Sequence, residues 1–303
     1  MARLILVRVF HAVLSMALLT LFVFFLVRLT GDPAALLLPD LTPPDVMEAF
    51  RVKLGLNEPL YIQYGIFMSN LLHGDLGRSF VYAVPVSDLI AQRLPNTLIL
   101  AVSGLVTTLV VGLPLGVLAA YKRGGRLDVA SRWLAVVGQS APSFWIGLLL
   151  ILLFSVRLHI LPSGGIGGLP NLILPTLTIA VKPLAGLVRL TRSSMIEVLE
   201  TDYVKFLRLK GLPERQILWK HALRNGGLTA LTFVGVLTAD LMTGSVVSET
   251  VFAWPGLGWL MVTSITSGDF AVVQAVVLMF SLIYIVINLL VDLLYGVLNP
   301  RLR

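Results

Sequence analysis

The sequence predicts an all-α membrane protein with six transmembrane helices, and three observations predict it. The chain of 303 residues is 57% hydrophobic and only 13% charged, with a mean hydropathy of +0.91. That is far too apolar for a soluble globular domain. Apolar windows of roughly 20 residues, the length that crosses a hydrocarbon core of about 30 Å, fall near 9–29, 96–121, 133–156, 169–188, 226–248 and 271–291. The third observation is the distribution of Lys and Arg. Sixteen of the 23 fall in the N- and C-terminal tails and in two of the connecting loops, all of which share one side of the membrane when the N-terminus is cytoplasmic. The opposite side has six: Arg28, Arg51, Lys53, Arg78, Arg93 and Arg157. Cationic loops favour the cytoplasm, so both termini are expected there.

The elements follow in order. Residues 1–29 form the N-terminal transmembrane helix: Arg3 and Arg8 precede the apolar run, but it ends at Arg28-Leu29-Thr30-Gly31-Asp32-Pro33 without a small-residue cleavage site, so it reads as a retained helix. Residues 30–95, with seven prolines, form an extracytoplasmic module. Thr42-Pro43-Pro44-Asp45 is a helix start and Gly55 a stop, and Leu60 to Leu72 and Pro85 to Leu94 read as two further short helices. The module serves as a scaffold or as a landing surface for an extracytoplasmic partner. Residues 96–303 form a core of five spans. In the first of these, Gly112 and Gly116 flank Pro114 in a small-xxx-small pattern that predicts close helix packing.

The cytoplasmic loop 189–225 holds the most informative stretch, DYVKFLRLKGLPERQILWKHALRN from Asp202 to Asn225. As a helix it places Leu199, Tyr203, Phe206 and Leu207 on one face, away from Glu197, Lys205 and Arg208. An apolar stripe on a cytoplasmic loop fits a groove on another protein. Gly211 interrupts the helix because glycine takes a left-handed conformation without penalty, and Pro213 suits the first turn of a second short helix running toward Asn225.

Two ionisable residues lie inside spans, where a charge costs roughly 2.5 kcal/mol or more. Asp240 is near mid-span, and with Gly244 it marks a candidate polar path. Its carboxylate either attracts an amine or cation, or is an acid hydrogen-bonded to a neighbouring helix. Lys182 lies two turns before Arg189 and is expected to snorkel toward the cytoplasm, the alternative being a salt bridge with Asp240. The outer loop from Glu249 to Phe270 contains Phe252-Ala253-Trp254-Pro255-Gly256-Leu257-Gly258 and no Lys or Arg. Trp254, Pro255 and Gly256 form a candidate external gate, the alternative being that Trp254 and Trp259 belong to a headgroup-level aromatic belt.

Several chemistries are excluded. No Gly-Lys dipeptide occurs, so the chain has no phosphate-cradling GxxxxGK[ST] loop. His11, His73, His159 and His221 are scattered outside any HExxH, and Gly138-Gln139-Ser140-Ala141-Pro142 is no nucleophile elbow. No catalytic, cofactor-binding or metal site is expected, and the absence of cysteine removes disulfides and thiolate ligands. The net charge of +7 follows from the topological bias and requires no nucleic acid.

The run from Asp202 to Asn225 resembles the cytoplasmic EAA loop of ABC importer permeases, in particular the dipeptide, oligopeptide and nickel branch. The matching positions are Asp202-Tyr203-Val204, Arg208, Lys210-Gly211-Leu212, Glu214-Arg215, Leu218 and His221-Ala222-Leu223-Arg224-Asn225. Further matches extend over nearly the whole chain: Thr30-Gly31-Asp32-Pro33, Leu54-Gly55-Leu56, Gly74-Asp75-Leu76-Gly77, Pro142-Ser143-Phe144-Trp145, Ile173-Leu174-Pro175, Phe252 to Gly258, and Asn299-Pro300-Arg301. Phe206, Leu207 and Leu209 stand where small residues are common, and Gly226-Gly227-Leu228-Thr229 replaces an ending in proline. The resemblance implies a type I ABC importer transmembrane domain in a bacterial inner membrane, with an external helical insertion after the first helix. It also implies a second homologous permease, two ATPase subunits that carry ATP and Mg, and an extracytoplasmic solute-binding protein. In that scheme Asp202, Tyr203, Phe206, Leu207, Lys210, Gly211, Glu214 and Arg215 couple the spans to the ATPase. A proton-coupled carrier using Asp240, or a non-transporting membrane scaffold, are the alternatives the residues leave open.

Overall fold

A computed structural model of the protein describes residues 2–29, 43–53 and 55–298, and within them leaves undescribed the side chains of 2–5, 28–29, 50, 53, 228–232, 234–236, 239–240, 243 and 292–298. Among the described residues the regular structure is helical, joined by turns and loops, with one isolated antiparallel bridge between Arg78 and Pro85. The helices are α1 (Ala2–Leu29), α2 (Pro44–Lys53), α3 (Leu60–Leu72), α4 (Val86–Tyr121), α5 (Arg126–Ser140), α6 (Ser143–Leu150), α7 (Leu169–Leu199), α8 (Asp202–Leu209), α9 (Glu214–Gln216), α10 (Leu223–Val251), α11 (Leu257–Thr266) and α12 (Phe270–Leu298). Two π-helical stretches, Ile151–Arg157 after α6 and Ile217–Ala222 between α9 and α10, continue their helices without a break.

Four helices among the described residues are long and apolar enough to cross a membrane: Leu6–Val27, Val86–Tyr121, Leu169–Leu199 and Phe270–Val291. Two of the expected elements differ from the sequence reading. The span over 133–156 is broken: α5 and the run from Ser143 to Arg157 meet at 112° across Ala141-Pro142. Proline restricts the residue before it to extended backbone, and Ala141 is extended at φ −76, ψ 134. The short helix over 85–94 does not stand alone. It is the first part of α4, which runs through Pro95 for 36 residues, or about 54 Å. Helix α3 and the stop at Gly55, with φ +66, lie where the sequence placed them. Thr30 to Asp32 and Thr42 lie outside the described residues.

The chain divides into two compact units, one within Met1–Asn96 and Gly256–Leu289, the other within Thr97–Pro255 and Leu290–Leu298. The core of the first unit is aliphatic: Val86, Leu89 and Ile90 of α4 pack against Leu257 and Leu260 of α11 and Val272, Ala275 and Val276 of α12. Phe24 of α1 is fully buried, edge-on to Tyr64 and beside Phe67 of α3, and Thr20 Oγ1 lies 3.0 Å from Tyr64 Oη. The buried Asp269 carboxylate accepts hydrogen bonds from Ser79 Oγ at 2.5 Å and from the Val81 N–H at 3.3 Å, tying the turn before α4 to the start of α12.

Helix α7 is the centre of the second unit. Two thirds of its apolar window is buried, against 17–28% for the other three spans. Small residues let its neighbours approach: a Cβ on Gly116 of α4 would sit 2.6 Å from Thr191 Cβ, on Gly104 2.6 Å from Ile179 Cδ1, and on Gly138 of α5 2.8 Å from Ala185 Cβ. Gly112 meets Leu187 in the same row, so the Gly112-xxx-Gly116 pattern does what the sequence reading expected. At the far end of α7 the buried Asp128 of α5 accepts hydrogen bonds from Arg192 Nε and, at 2.9 Å, from the Gly124 N–H, with Arg132 3.6 Å away.

Candidate functional site

Helix α8 is short because its sequence changes character at Lys210. Gly211 follows with φ +74, the left-handed geometry that ends a helix, and a Cβ there would meet nothing within 4 Å. Glycine is required by the backbone alone. The chain then turns through Leu212 and Pro213 into α9. The second short helix expected from Pro213 to Asn225 is instead the base of a long one: α9, the π-helical stretch and α10 run on from Glu214 to Val251. Pro213 caps that run and does not enter its first turn. Helix α8 is therefore joined through one bend to the long helix from Glu214 to Val251.

The faces of α8 also differ from the sequence reading. Val204 and Leu207 point inward, fully and almost fully buried against Ile217, with Val198, Leu199 and Leu212 around them. Burying each contributes about 1.5–3 kcal/mol, enough to hold an eight-residue helix in place. The exposed apolar residues are Tyr203 at 45%, Phe206 at 53% and Leu209 at 87%. Leu207 thus belongs to the anchoring face and not to the outer one. Polar contacts fix the bend: Arg208 Nε donates to Glu214 Oε1 at 2.8 Å, Tyr203 Oη lies 3.0 Å from His221 Nδ1, and Lys210 Nζ sits 4.6 Å above the Phe206 ring. Lys205 Nζ, 2.8 Å from Asp202 Oδ1, holds that carboxyl below its ordinary range. Arg215 is exposed and has no hydrogen-bond or ion-pair partner among the described residues.

A cavity of about 590 Å³ lies within the same unit, between α7 and α10, with α5 and α6 contributing Gln139 and Ser143. From α7 it is lined by Thr178, Lys182, Gly186 and Arg189, among others, and from α10 by Phe233, Leu237, Leu241 and Gly244. Gly244, expected on a path, lines this cavity. A Cβ on it would meet nothing within 4 Å. The Asp240 side chain lies outside the described residues. Sequence reasoning missed Gln139, Ser143 and Phe233, which carry no signal in isolation.

One end of the cavity meets a packed layer. Ile179 and Leu241 line it and also pack with Leu100 and Trp254, which is 5% exposed. Trp254 is therefore a core residue and not a member of an interfacial belt. Its backbone N–H donates to the Glu249 carbonyl at 2.8 Å, and the buried Glu249 carboxylate accepts from Thr97 Oγ1 at 2.8 Å. The neighbouring loop is clamped too: the Gly165 N–H donates to the Phe252 carbonyl at 2.8 Å, and Asn171 Nδ2 donates to the Gly164 carbonyl. Pro255 is half-buried and Gly256 caps α11. Trp259, in the other unit, lies 5.3 Å beneath the Arg93 guanidinium.

These features match a known architecture. Residues 112–303 match the family of the binding-protein-dependent transport system inner membrane component, and residues 1–101 match its N-terminal companion. The chain belongs to this family. It is an ABC importer permease of the peptide branch, a multi-pass inner membrane protein of a kind that is not itself an enzyme and that works with ATPase and substrate-binding partners. A Brucella abortus (strain 2308) protein provisionally named a peptide transport system permease is 43% identical, the match covering 100% of this chain and 99% of that one. The glutathione transport system permease protein GsiC of Escherichia coli (strain K12) is 42% identical over 92% of this permease and 91% of its own length. Among solved structures, an inward-facing MetNI methionine ABC transporter aligns with a TM-score of 0.59 at 19% identity, over 70% of this permease and 96% of that chain. The fold is shared at that distance.

Proposed function

We propose that this permease forms half of the translocation path of an ATP-driven importer of di- or oligopeptides, paired with a second homologous permease and driven by two separate ATPase subunits. A solute-binding protein delivers the peptide on the extracytoplasmic side, and ATP and Mg are held by the ATPase subunits. The chain crosses the membrane six times with both termini cytoplasmic, and 30–95 is the external insertion. The observation that carries the reading is α8. An eight-residue helix is anchored by Val204 and Leu207, presents Tyr203, Phe206 and Leu209 outward, and joins the base of α10 through the Gly211 bend. Exposed aromatic residues beside an arginine, here Tyr203, Phe206 and Arg208, fit the composition of a protein-binding face. The peptide class is supported by the full-length similarity to the Brucella protein.

In mechanism, the ATPase engages the outer face of α8, and its closure pushes the Asp202–Arg215 bend. The long helix from Glu214 to Val251 carries that displacement to Trp254, which rests on Leu241 of the same helix. Lifting Trp254 from Leu100 and Ile179 opens the extracytoplasmic end, and restoring the layer closes it. This is alternation between two packings selected by the nucleotide state. Asp240, three residues beyond Leu237 on α10, is assigned to the path. The test is uptake of a labelled tripeptide by the reconstituted complex. Uptake that requires ATP and survives collapse of the proton gradient supports the reading. Uptake driven by the gradient without ATP would instead establish the carrier using Asp240.

A further inference from the structure

Helix α3 has the wrong composition for an element surrounded by water. Its thirteen residues, LYIQYGIFMSNLL from Leu60 to Leu72, include no Asp, Glu, Lys or Arg. It is too short to cross a bilayer, and helices of this length and character are core, re-entrant or interfacial segments. Core is excluded, because all thirteen residues are described and Gln63 is the one that is buried. One face, with Tyr64 and Phe67, packs on Phe24 of α1. Another face presents Tyr61, Gly65 and Leu72, spaced over three turns, and Tyr61 and Leu72 are 76% and 79% exposed. Gln63, Ser69 and Asn70 form a polar flank beside these two faces. Gln63 Nε2 is satisfied within the chain, donating to the Leu56 and Glu58 carbonyls at 2.9 and 2.8 Å.

The neighbours of α3 fix its depth. Its contacts with α1 fall at Phe24 and Thr20, inside the apolar window Leu6–Val27. With α1 and α12 it encloses a groove of about 410 Å³, lined from Val13 to Thr20 on α1, from Ala275 to Leu282 on α12, and by Met68 and Leu72 on α3. Counted from Val27, the α1 wall lies about 10 to 21 Å along its helix, and counted from Phe270, the α12 wall lies about 8 to 18 Å along its own. The two spans run in opposite directions and agree. Against a hydrocarbon core of about 30 Å, the groove occupies one leaflet and reaches the midplane. The connection after α3 returns to the surface. There Ser79 is held by Asp269, the residue before α12, and Tyr82 is exposed, a residue type that settles at headgroup level. Asp75 and Arg78, the first charges after α3, stand on that same connection.

We propose that α3 is an interfacial helix immersed in the extracytoplasmic leaflet, and that the groove it forms with α1 and α12 binds an acyl chain of a membrane phospholipid. The choice of leaflet rests on the proposed orientation, with cytoplasmic termini; the immersion of α3 does not. A helix with an apolar face and a polar flank sinks about 5–10 Å past the headgroups, and Tyr64 meets Thr20 at about that depth. Water does not suit the groove. Eleven of its twelve described lining residues are aliphatic or methionine, and the Thr20 hydroxyl is engaged with the Ala17 carbonyl at 2.8 Å and with Tyr64 Oη at 3.0 Å. A space of this size is foreign to a close-packed protein, and acyl chains are the apolar matter that surrounds both of its walls. Tyr61 and Leu72, which would form an exposed apolar face in water, stand against lipid instead. The external insertion thus dips back into the bilayer, and lipid completes the packing of the first unit.

The native chain has no cysteine, so single cysteines report each surface. Gly65→Cys, where an added Cβ meets nothing within 4 Å, Leu72→Cys and Asn70→Cys are spin-labelled in the assembled transporter in phospholipid nanodiscs. Collision rates with oxygen, which concentrates in hydrocarbon, and with a water-soluble nickel chelate are compared. Oxygen should dominate at residues 65 and 72, and the chelate at residue 70. Chelate dominance at all three overturns immersion. Shielding of 65 and 72 from both reagents also overturns it, and gives that face to a protein partner. The groove is read with a phosphatidylethanolamine that carries a diazirine midway along one acyl chain, its adducts mapped by mass spectrometry. Adducts should form at Met68 and Met279. Ala17→Trp, which fills the groove from an exposed position, should abolish them, while Leu18→Trp, exposed on the same helix outside the described lining, should leave them. No adducts at these two residues, or equal adducts in the two Trp variants, overturns the acyl-chain site. Glu58→Cys, exposed just before α3, tests the orientation with a membrane-impermeant maleimide in spheroplasts. Labelling of intact spheroplasts supports the extracytoplasmic leaflet. Labelling only after permeabilisation overturns the leaflet and the orientation together, while the spin-label result still decides immersion.

Discussion

Replacing Gly211 by Val should uncouple the permease from its ATPase while leaving it folded, and the structure sets the size of the effect. Gly211 is at φ +74, and a Cβ added there meets nothing within 4 Å. A Cβ therefore meets no steric conflict, and the main cost is that of a left-handed backbone, about 1–2 kcal/mol for an L-residue and toward the upper end for a β-branched one. Val204 and Leu207 still anchor α8, so the helix remains and the bend relaxes. A shift of 1–2 kcal/mol reduces the population of the native bend by roughly five- to thirtyfold. Asparagine tolerates the left-handed region, so Gly211→Asn should keep most of the coupling. The assay compares peptide uptake with ATP hydrolysed in proteoliposomes of the complete transporter. The expected order is wild type, Asn, Val, with unchanged complex yield. Wild-type coupling in Gly211→Val, or equal losses for Val and Asn, would refute the argument from backbone conformation.

Other predictions concern packing. Gly116→Val places methyl groups where Thr191 Cβ and the Val188 carbonyl are 2.6 and 3.1 Å from a Cβ, and should lower the melting temperature of the purified complex by an amount equivalent to about 1–3 kcal/mol. Gly244→Ala enters open space and should leave it unchanged. Asp128→Ala strands the partly buried Arg192 without its carboxylate and should destabilise by about 3–5 kcal/mol, read by thermal unfolding. Trp254→Ala removes a nearly buried ring from the layer with Leu100, Ile179 and Leu241. It should cost about 3–5 kcal/mol in stability and permit peptide leak across proteoliposomes without ATP.

Legibility in the sequence followed the strength of local physics. Gly211 and Gly55 were readable because one residue type suits their backbone, and α3 because its apolar run ends at His73-Gly74. Pro142 was not read as a break since a hydropathy window averages over it, although the chain turns 112° there. Pro95 was read as a boundary, yet α4 passes through it. A missing N–H removes one hydrogen bond, and the other turns of a 36-residue helix carry the element across. On α8, periodicity located two adjacent apolar arcs but not which one turns inward. That depends on Ile217, ten residues beyond Leu207 and across the bend. Trp254, which its residue type and loop left as either a gate or an interfacial residue, is buried in the layer with Leu100, Ile179 and Leu241. The cavity was least legible: Gln139, Ser143, Lys182 and Gly244 come from four helices, and only the packing of α7 brings them together.

The central claim is that the outer face of α8 is where the ATPase docks. It is tested most directly by placing single cysteines at Leu209, Phe206 and Val204 in the cysteine-free chain and measuring cross-linking to the ATPase subunit in the assembled transporter. Leu209→Cys and Phe206→Cys, exposed at 87% and 53%, should cross-link and be shielded from maleimide only when the ATPase is present, while the buried Val204→Cys should do neither. Free maleimide labelling of Leu209→Cys and Phe206→Cys in the intact complex, with no cross-link to the ATPase, would contradict the account.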